Sequence, residues 1–197
     1  MTTIIETARL RLRTWRDGDA DLFERLTNTR AVMAHLGGVQ PPGYFALAVE
    51  RMVALQAERG HCFWAVERKV DGALLGFCGI KISSSAGPDA DAMPEIGWRL
   101  REDTWGQGYA REAAIASLDH GFGALGFGRV IAFTLPGNTA SWGLMLRLGM
   151  TRLPDFIEPR FGPELNPTVY FEIRRETWLG GARDRAVQPA SIADSSA

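Results

Sequence analysis

The sequence is poor in the residues that build metal centres and cross-links. Its 197 residues include two cysteines, Cys62 and Cys78, and three histidines, and their spacings are not those of a zinc site. We therefore predict no metal. Both cysteines lie in apolar strand patterns beside a hairpin turn, nearly opposite each other, so we expect reduced thiols in the core. A disulfide between them is the lesser alternative, since the cytosol would oppose it.

Lysine is scarce and neither charge dominates. Lysine occurs only at Lys69 and Lys81, and all basic residues balance all acidic residues to a formal net charge of −1. A dedicated nucleic-acid-binding domain would be strongly basic. Long apolar runs are also missing, because none reaches the roughly 18 residues that cross a membrane, and the alternating N-terminal segment is unlike a signal peptide. We expect a cytoplasmic protein that binds neither nucleic acid nor membrane.

The composition is that of an ordinary globular protein, with 46% hydrophobic and 23% charged residues. At about 150 residues per domain, the length predicts a single domain. We assign this domain to residues 7–179. Residues 180–197 are small, polar and unpatterned, and we expect a disordered tail there.

The first half of the chain predicts a strand, two helices and a hairpin. Strict alternation from Leu10 to Trp15 indicates the strand, and Asp19 can cap the helix that follows. Pro41 and Pro42 open a longer helix that Gly60 ends. Two apolar strands then meet at the hairpin signal Asp71-Gly72.

The second half predicts an alternation of strands and helices. The acidic segment SSSAGPDADAMP is a long loop, either facing substrate or an inert insertion. A strand in EIGWRL, a helix, a strand in RVIAFTL and a short helix ended by Gly149 follow, and two more strands lie near 150–156 and 168–175. This order fits an α/β fold with a mixed sheet covered by helices on both faces.

The turn WGQGYARE, between a predicted strand and a predicted helix, is the most informative stretch. Glycines at alternate positions let backbone N–H groups converge, and the start of a helix adds free N–H groups and the positive end of its dipole. Together they would bind a pyrophosphate. The dinucleotide-binding pattern does not fit, because Arg111 stands where its third glycine belongs, and no P-loop lysine follows. A nucleotide-dependent oxidoreductase is therefore a weak alternative.

Several motifs in order resemble a known family. EIGWRLREDTWGQGYAREAA and NTASWGLMLRLGM resemble the two cofactor motifs of the GNAT superfamily of acetyl-CoA-dependent N-acetyltransferases. The opening TARLRLRTWRDGDADLFERLTN and FWAVERKVDGALLGFCGI resemble its RimJ/RimL-type branch, which includes acetyltransferases of ribosomal-protein N-termini. The resemblance covers about residues 7–178. It implies a single GNAT-like domain with a mostly antiparallel sheet of six to seven strands, whose central strands splay.

The resemblance also implies an acetyl-CoA site. Trp105 departs from the Arg or Gln of the superfamily's pyrophosphate loop, but the loop binds through backbone N–H groups. Asn138 and Ser141 would lie beside the pantetheine and thioester, although Asn138 is equally a good helix cap. The residues expected to bind acetyl-CoA are Trp98, Arg99, Leu100, Trp105, Gly106, Gln107, Gly108, Tyr109, Ala110, Arg111, Asn138 and Ser141.

Acetyl transfer to an amine requires a base. At pH 7 an α-amine with a pKa near 8 is about one-tenth neutral, whereas a lysine amine near 10.4 is neutral in less than about one part in a thousand. Glu95 is the candidate base, acting directly or through water; alternatively it is a structural carboxylate paired with an arginine. Met145 stands where superfamily members often have a tyrosine acid, so Ser141 or water would protonate the thiolate.

The acceptor cannot be identified from the sequence. A protein N-terminal α-amine and a small-molecule amine both fit the resemblance. Arg160 and Phe161 lie in a region where the family admits acceptors, and a homodimer is possible. Loss of the tyrosine acid leaves a second hypothesis open, a non-catalytic CoA-binding module. Tryptophans that could line an acceptor pocket are Trp15, Trp98, Trp105, Trp142 and Trp178.

Overall fold

The computed structural model describes residues 2–83, 92–158 and 162–181, apart from the side chain of Glu164. The strands are β1 Thr3–Glu6, β2 Leu10–Arg13, β3 Phe63–Arg68, β4 Leu74–Ile82, β5 Pro94–Leu100, β6 Arg129–Thr134, β7 Thr151–Phe156 and β8 Thr168–Arg174. The helices are α1 Asp19–Thr27, α2 Arg30–Met33, α3 Tyr44–Arg59, α4 Tyr109–Gly123, α5 Thr139–Arg147 and α6 Arg175–Gly180. Most of the predicted loop before β5 and most of the predicted tail lie outside the described residues.

The strands form one open sheet in the order β1-β2-β3-β4-β5-β6-β8-β7. All neighbours are antiparallel except β5 and β6, which run parallel and share the register pair Glu95↔Ile131. By contrast, β4 and β5 are paired along their whole length, from Gly76↔Leu100 to Ile82↔Pro94. The sheet therefore opens between β5 and β6, which confirms the predicted fold class and the splay of the central strands.

The sheet has eight strands within the described residues, more than the six to seven predicted. Periodicity missed β1, which has four residues and is held by its pairing with β2. It also missed the short helices α2 and α6. These elements depend on tertiary packing: Trp178 of α6, for example, is completely buried in the main core. One or two helical turns show too little of the helical period, and the adjacent Ile4 and Ile5 of β1 break strict alternation.

The predicted turns and helix ends are mostly confirmed. Asp71 and Gly72 form the hairpin turn between β3 and β4. Helix α3 follows the proline pair and ends at Gly60, which has a φ of 76°. The prediction for Asp19 was wrong: Gly18 is the N-cap of α1, and Asp19 is the first helical residue. The carboxylate of Asp19 is buried and accepts a hydrogen bond from Arg13 at 2.6 Å.

Arg13 connects three elements in the interior. Its guanidinium donates to Asp19 of α1 at 2.6 Å and to Glu67 of β3 at 2.8 Å, and the side chain is fully buried. A buried charge is tolerated when it is paired and hydrogen-bonded in this way. The cluster fixes α1 against the sheet, on the face opposite α4.

The two faces of the sheet have separate cores. On one face, Phe23 of α1 and Phe45 of α3 pack with Leu74 of β4. On the other face, α4 packs against β4 and β5 through residues such as Ala114 and Leu118. Helices thus cover both faces, as predicted, and the opening between β5 and β6 lies between the two layers.

Both cysteines are free and buried, which confirms the predicted core thiols. Their predicted placement opposite each other was wrong, because Cys78 pairs with Trp64 across the β3–β4 hairpin and Cys62 precedes β3. Burial raises the pKa of each thiol to about 12. Separately, the described helices include none that is both long and apolar enough to span a bilayer.

Candidate active site

A cavity of about 850 Å³ lies at the splay of the sheet. Its walls come from β5, the loop before α4, the end of β6, the start of α5 and the region around α2. A cavity of this size can enclose a cofactor-sized ligand. Of the residues predicted to bind acetyl-CoA, all but Gln107 line it. Glu95, the candidate base, lines the same cavity.

The glycine-rich turn leads from β5 into α4. Gly106 and Gly108 have φ angles of 73° and 78°, a conformation that side chains with a Cβ rarely adopt. Gly108 is the N-cap of α4. The N–H groups of Tyr109, Ala110 and Arg111 have no acceptor within the helix, and the helix dipole makes this end positive. The turn therefore has the geometry of an anion cradle.

The side chains of the turn hold it in place. The Trp105 indole donates to the Leu100 carbonyl at 3.0 Å, while half of the side chain stays exposed. The Gln107 amide donates to the Asp103 carbonyl at 3.0 Å. The Tyr109 ring is buried beneath Arg9, whose guanidinium carbon lies 4.4 Å from the ring centroid. The backbone of the turn is thus left to face the cavity.

Arg9 anchors the turn from a distant part of the sequence. It donates to the Gln107 carbonyl at 3.0 Å and forms an ion pair of 2.6 Å with Glu112 in the first turn of α4. Thr7 donates to the other oxygen of Glu112 at 2.6 Å. Sequence analysis missed this anchor, because Thr7 and Arg9 precede Glu112 by more than a hundred residues.

Asn138 and Ser141 begin α5 at the cavity wall. The Asn138 side chain accepts a hydrogen bond from the Ser141 N–H at 3.3 Å and donates to the Thr134 hydroxyl at 3.0 Å. Asn138 is therefore the helix cap that the sequence allowed, and it also ties α5 to the end of β6. Ser141 is partly buried, and Met145, one turn further along, is buried behind it.

Glu95 forms an ion pair with a lysine. Its carboxylate lies 3.0 Å from the Lys81 ammonium across the β4–β5 ladder, and both side chains are mostly buried. The sequence suggested an arginine as the alternative structural partner, so the partner was wrongly predicted. One pairing does not decide the role of the carboxylate, because Glu95 also faces the cavity.

Neighbouring residues of β5 point to opposite faces of the sheet. Trp98 and Leu100 pack with the core on the α4 side. The guanidinium of Arg99 lies on the α1 and α3 side, 5.4 Å from the ring centroid of Phe45 and 5.6 Å from that of Phe77. Only the backbone of Arg99 is thus available on the side where the cofactor loop begins.

The five tryptophans that were candidates for an acceptor pocket do not lie together in one pocket. Trp98 and Trp105 line the cavity. Trp15 and Trp178 are buried in the two cores, and the Trp142 indole donates to the Pro136 carbonyl at 2.9 Å. Arg160 and Phe161 lie outside the described residues. The described residues also contain no group of three or more His, Cys, Asp or Glu side chains that could hold a metal ion.

Several lining residues were not predicted from the sequence. They come from α2 and the segment after it, from the β3–β4 hairpin, from the end of α5 and from strands β6 and β8, which meet at the cavity only in the folded chain. They include Val32, His35, Leu36, Phe63, Phe77, Thr134, Arg147 and Thr168. None carries a motif signal, since each is a single residue in an otherwise ordinary helix, strand or loop.

Comparison with known proteins identifies the family to which this fold belongs. The chain belongs to the GNAT family: a family model described as "Acetyltransferase (GNAT) domain" matches residues 9–151. A relative from Bacillus subtilis, "Uncharacterized protein YkkB", is 36% identical over 149 residues, which cover 75% of this chain and 85% of the relative.

Solved acetyltransferase structures have a similar fold. An acetyltransferase from Agrobacterium tumefaciens superposes with a TM-score of 0.73 at 25% identity, covering 88% of this chain and 95% of that chain. The spermidine N-acetyltransferase of Vibrio cholerae, solved with CoA and spermine, has the same fold with a TM-score of 0.69 at 19% identity, covering 88% of this chain and 99% of that one. GNAT acetyltransferases use acetyl-CoA, so acetyl transfer to an amine is the chemistry that this fold implies.

Proposed function

We propose that this protein transfers the acetyl group of acetyl-CoA to a primary amine by direct attack in a ternary complex. The amine is a protein N-terminal α-amine or that of a small molecule. The observation that carries the proposal is that one cavity joins the anion cradle at the start of α4 to the carboxylate of Glu95. A site with both ends can hold donor and acceptor together, which is the arrangement that direct transfer requires.

The donor end fits acetyl-CoA. Gly106 and Gly108 turn the backbone toward the cavity, and the first N–H groups of α4 can donate to the pyrophosphate. Arg111 and Arg147 line the same region and add positive charge. The backbone of β5 from Trp98 to Leu100 would bind the pantetheine as a further strand in the splay. Acetyl-CoA supplies a thioester, whose carbonyl is the electrophile.

The acceptor end requires proton transfer. Glu95 accepts the proton of the ammonium, directly or through water, while Lys81 keeps its carboxylate oriented. Asn138 fixes the start of α5, and Ser141 or water protonates the departing thiolate. Met145 has no acidic proton, so this chain cannot use a side-chain acid at that position.

The acceptor class, the compartment and the oligomeric state are proposed on separate grounds. The opening segment and the β3–β4 hairpin resemble those of the RimJ/RimL-type branch, and this supports a protein N-terminus among the acceptors. Two free thiols suit a reducing compartment, and we therefore propose the cytoplasm. A homodimer is proposed on the family resemblance alone.

Acetyl-CoA binding is the first test. A ligand that binds the native state raises the melting temperature by mass action, so we expect a clear rise at millimolar acetyl-CoA. Gly108→Val places a β-branched residue at a φ of 78°, which such residues rarely adopt. The turn should therefore distort, and the rise in melting temperature with acetyl-CoA should be lost. Gly123→Val is the matched control, because a Cβ there has open space and Gly123 lies outside the cavity. No rise for the folded wild-type protein would reject the proposal.

Turnover separates the enzyme from a non-catalytic CoA-binding module, which the missing tyrosine acid favours. We expect free CoA to be released with at least one member of a panel of amines and N-terminal peptides. Tight acetyl-CoA binding without CoA release across that panel would support the module instead. The same panel narrows the acceptor, since α-amines and lysine amines can be compared directly.

A further inference from the structure

Arg99 is a cation in apolar surroundings. Its guanidinium carbon lies 5.9, 5.4 and 5.6 Å from the ring centroids of Phe23, Phe45 and Phe77, which we call the aromatic box. Its Nε atom is buried and forms no hydrogen bond with the described residues. Burial lowers the pKa of Arg99 to about 10. The side chain therefore remains charged at neutral pH in a place that disfavours charge.

The contrast with Arg13 shows that this arrangement is unusual within the molecule. Arg13 is buried between the carboxylates of Asp19 and Glu67. Arg99 forms no ion pair within the described part of the chain, and the rings of the aromatic box attract its charge but accept no strong hydrogen bond. Arg99 is partly buried, and a cation that loses water without gaining a counter-charge is costly. Groups that cost a folded protein stability are often found at its binding sites.

The position of Arg99 relates it to the acceptor end of the cavity. Arg99 and Glu95 lie on the same face of β5, and both line the cavity. Four strand residues separate their Cα atoms by about 13 Å. The cofactor loop begins on the other side of β5, where Trp98 and Leu100 pack toward α4. An anion held by Arg99 would therefore belong to the acceptor and not to the phosphates of acetyl-CoA.

We infer that Arg99 binds a carboxylate of the acceptor, so that the substrate class is an amine with a carboxylate several bonds away. The inference rests on the proposed function, because Glu95 defines the amine end. The guanidinium fork matches a carboxylate in two parallel hydrogen bonds. The aromatic box holds the fork beside apolar rings, and these less polar surroundings strengthen its attraction for an anion. A hydrogen bond of about 3 Å at each end takes up part of the 13 Å spacing, so an acceptor of roughly 7–10 Å fits, the length of two or three extended residues.

Oligoglycines test the inference, because their length sets the distance between the amine and the carboxylate. Glycine, diglycine, triglycine and tetraglycine are compared as free acids and as C-terminal amides. The rates are expressed per neutral amine, because a nearby carboxylate also raises the pKa of the amine. CoA release and the thermal shift in the presence of CoA are both measured. We expect the acid to be preferred over the amide by about 10- to 100-fold in kcat/KM, most for diglycine or triglycine, in line with loss of a charged hydrogen bond. Equal behaviour of acids and amides in both measurements overturns the inference.

Arg99→Met tests the residue. The ratio of kcat/KM for the acid to kcat/KM for the amide should fall to about one, while the thermal shift with acetyl-CoA is unchanged. The variant should also melt a few degrees higher, because methionine suits an apolar box better than an unpaired cation does. A structural role predicts the opposite, a lower melting temperature. Arg51→Met, on the exposed face of α3, is the matched control and should change neither property.

Failure of the inference can be told from failure of the proposed function. If acetyl-CoA gives no thermal shift and no amine releases CoA, the proposed function fails. If acetyl-CoA binds and amines are acetylated, but Arg99→Met keeps the ratio of acid to amide, the acetyltransferase stands and Arg99 does not bind the acceptor.

Discussion

At the scale of single residues, Glu95 has the surroundings of both roles that the sequence presented as alternatives, a structural carboxylate and the proposed base. It is paired with Lys81 at 3.0 Å, and it lines the cavity that extends to the start of α4. The pairing is compatible with proton transfer, because a fixed carboxylate is in position before the amine arrives.

Glu95→Gln should reduce turnover by about 10²- to 10⁴-fold, the effect of a positioned acid or base. The thermal shift with acetyl-CoA should persist, since the cradle at α4 is intact. The defect should shrink as pH rises, because the amine then loses its proton unaided. It should also be milder for an α-amine than for a lysine amine, whose pKa is higher. Rates of CoA release across a range of pH test these expectations.

Glu50→Gln is the control for this experiment, because Glu50 is exposed on α3 and outside the cavity. Unchanged turnover in Glu95→Gln would make Glu95 structural. An equal loss at every pH would indicate that it orients the acceptor without accepting a proton. Loss of acetyl-CoA binding would mean that it supports β5.

At the scale of elements, the start of α4 depends on its tie to the first hairpin of the sheet. Glu112 accepts hydrogen bonds from the Thr7 hydroxyl, the Arg9 N–H and the Arg9 guanidinium at 2.6, 2.9 and 2.6 Å. Burial alone would raise the pKa of Glu112, but these donors outweigh it, and the pKa lies below the ordinary value of 4.5. The ionised carboxylate is therefore the form that holds α4.

Glu112→Gln should destabilise the protein in a pH-dependent way. Because the pKa is lower in the folded state, this contribution is complete above pH 4.5 and is lost as pH falls through the folded-state pKa. The melting temperature of the variant should lie below that of the wild type at pH 7, and the gap should narrow below pH 4.5. Glu176→Gln, at an exposed position of α6, should show no gap. A difference in melting temperature that does not change with pH would show that the charge of Glu112 does not hold α4.

At the scale of the whole molecule, the thiols report on global unfolding. Cys62 and Cys78 are buried, and their burial raises the pKa of each to about 12. At pH 8 roughly one thiol in ten thousand is then ionised, and thiolate is the reactive form. The native protein should react slowly with an aromatic disulfide reagent and release two equivalents only in denaturant. Acetyl-CoA should slow the reaction further by stabilising the native state. A fast native phase would contradict this expectation.

The sequence by itself determined the elements whose signals are local. The turn at Asp71-Gly72, the helix end at Gly60 and the cap at Asn138 follow from the backbone preferences of a few adjacent residues. The order of strands and helices follows from periodicity in segments of six residues or more. The glycine-rich turn before α4 was recognisable for the same reason, since its geometry depends on its own glycines.

Tertiary structure decided what depends on contacts between distant parts of the chain. It added β1, α2 and α6, whose sequences show no clear periodic pattern, and it placed Lys81 beside Glu95 as its partner. It also joined Arg9 to Glu112 and placed Arg99 beside rings from three elements. Such contacts form only when the sheet orders its strands, because hydrogen bonds and ring contacts act over a few ångströms in space and leave no regular spacing along the chain.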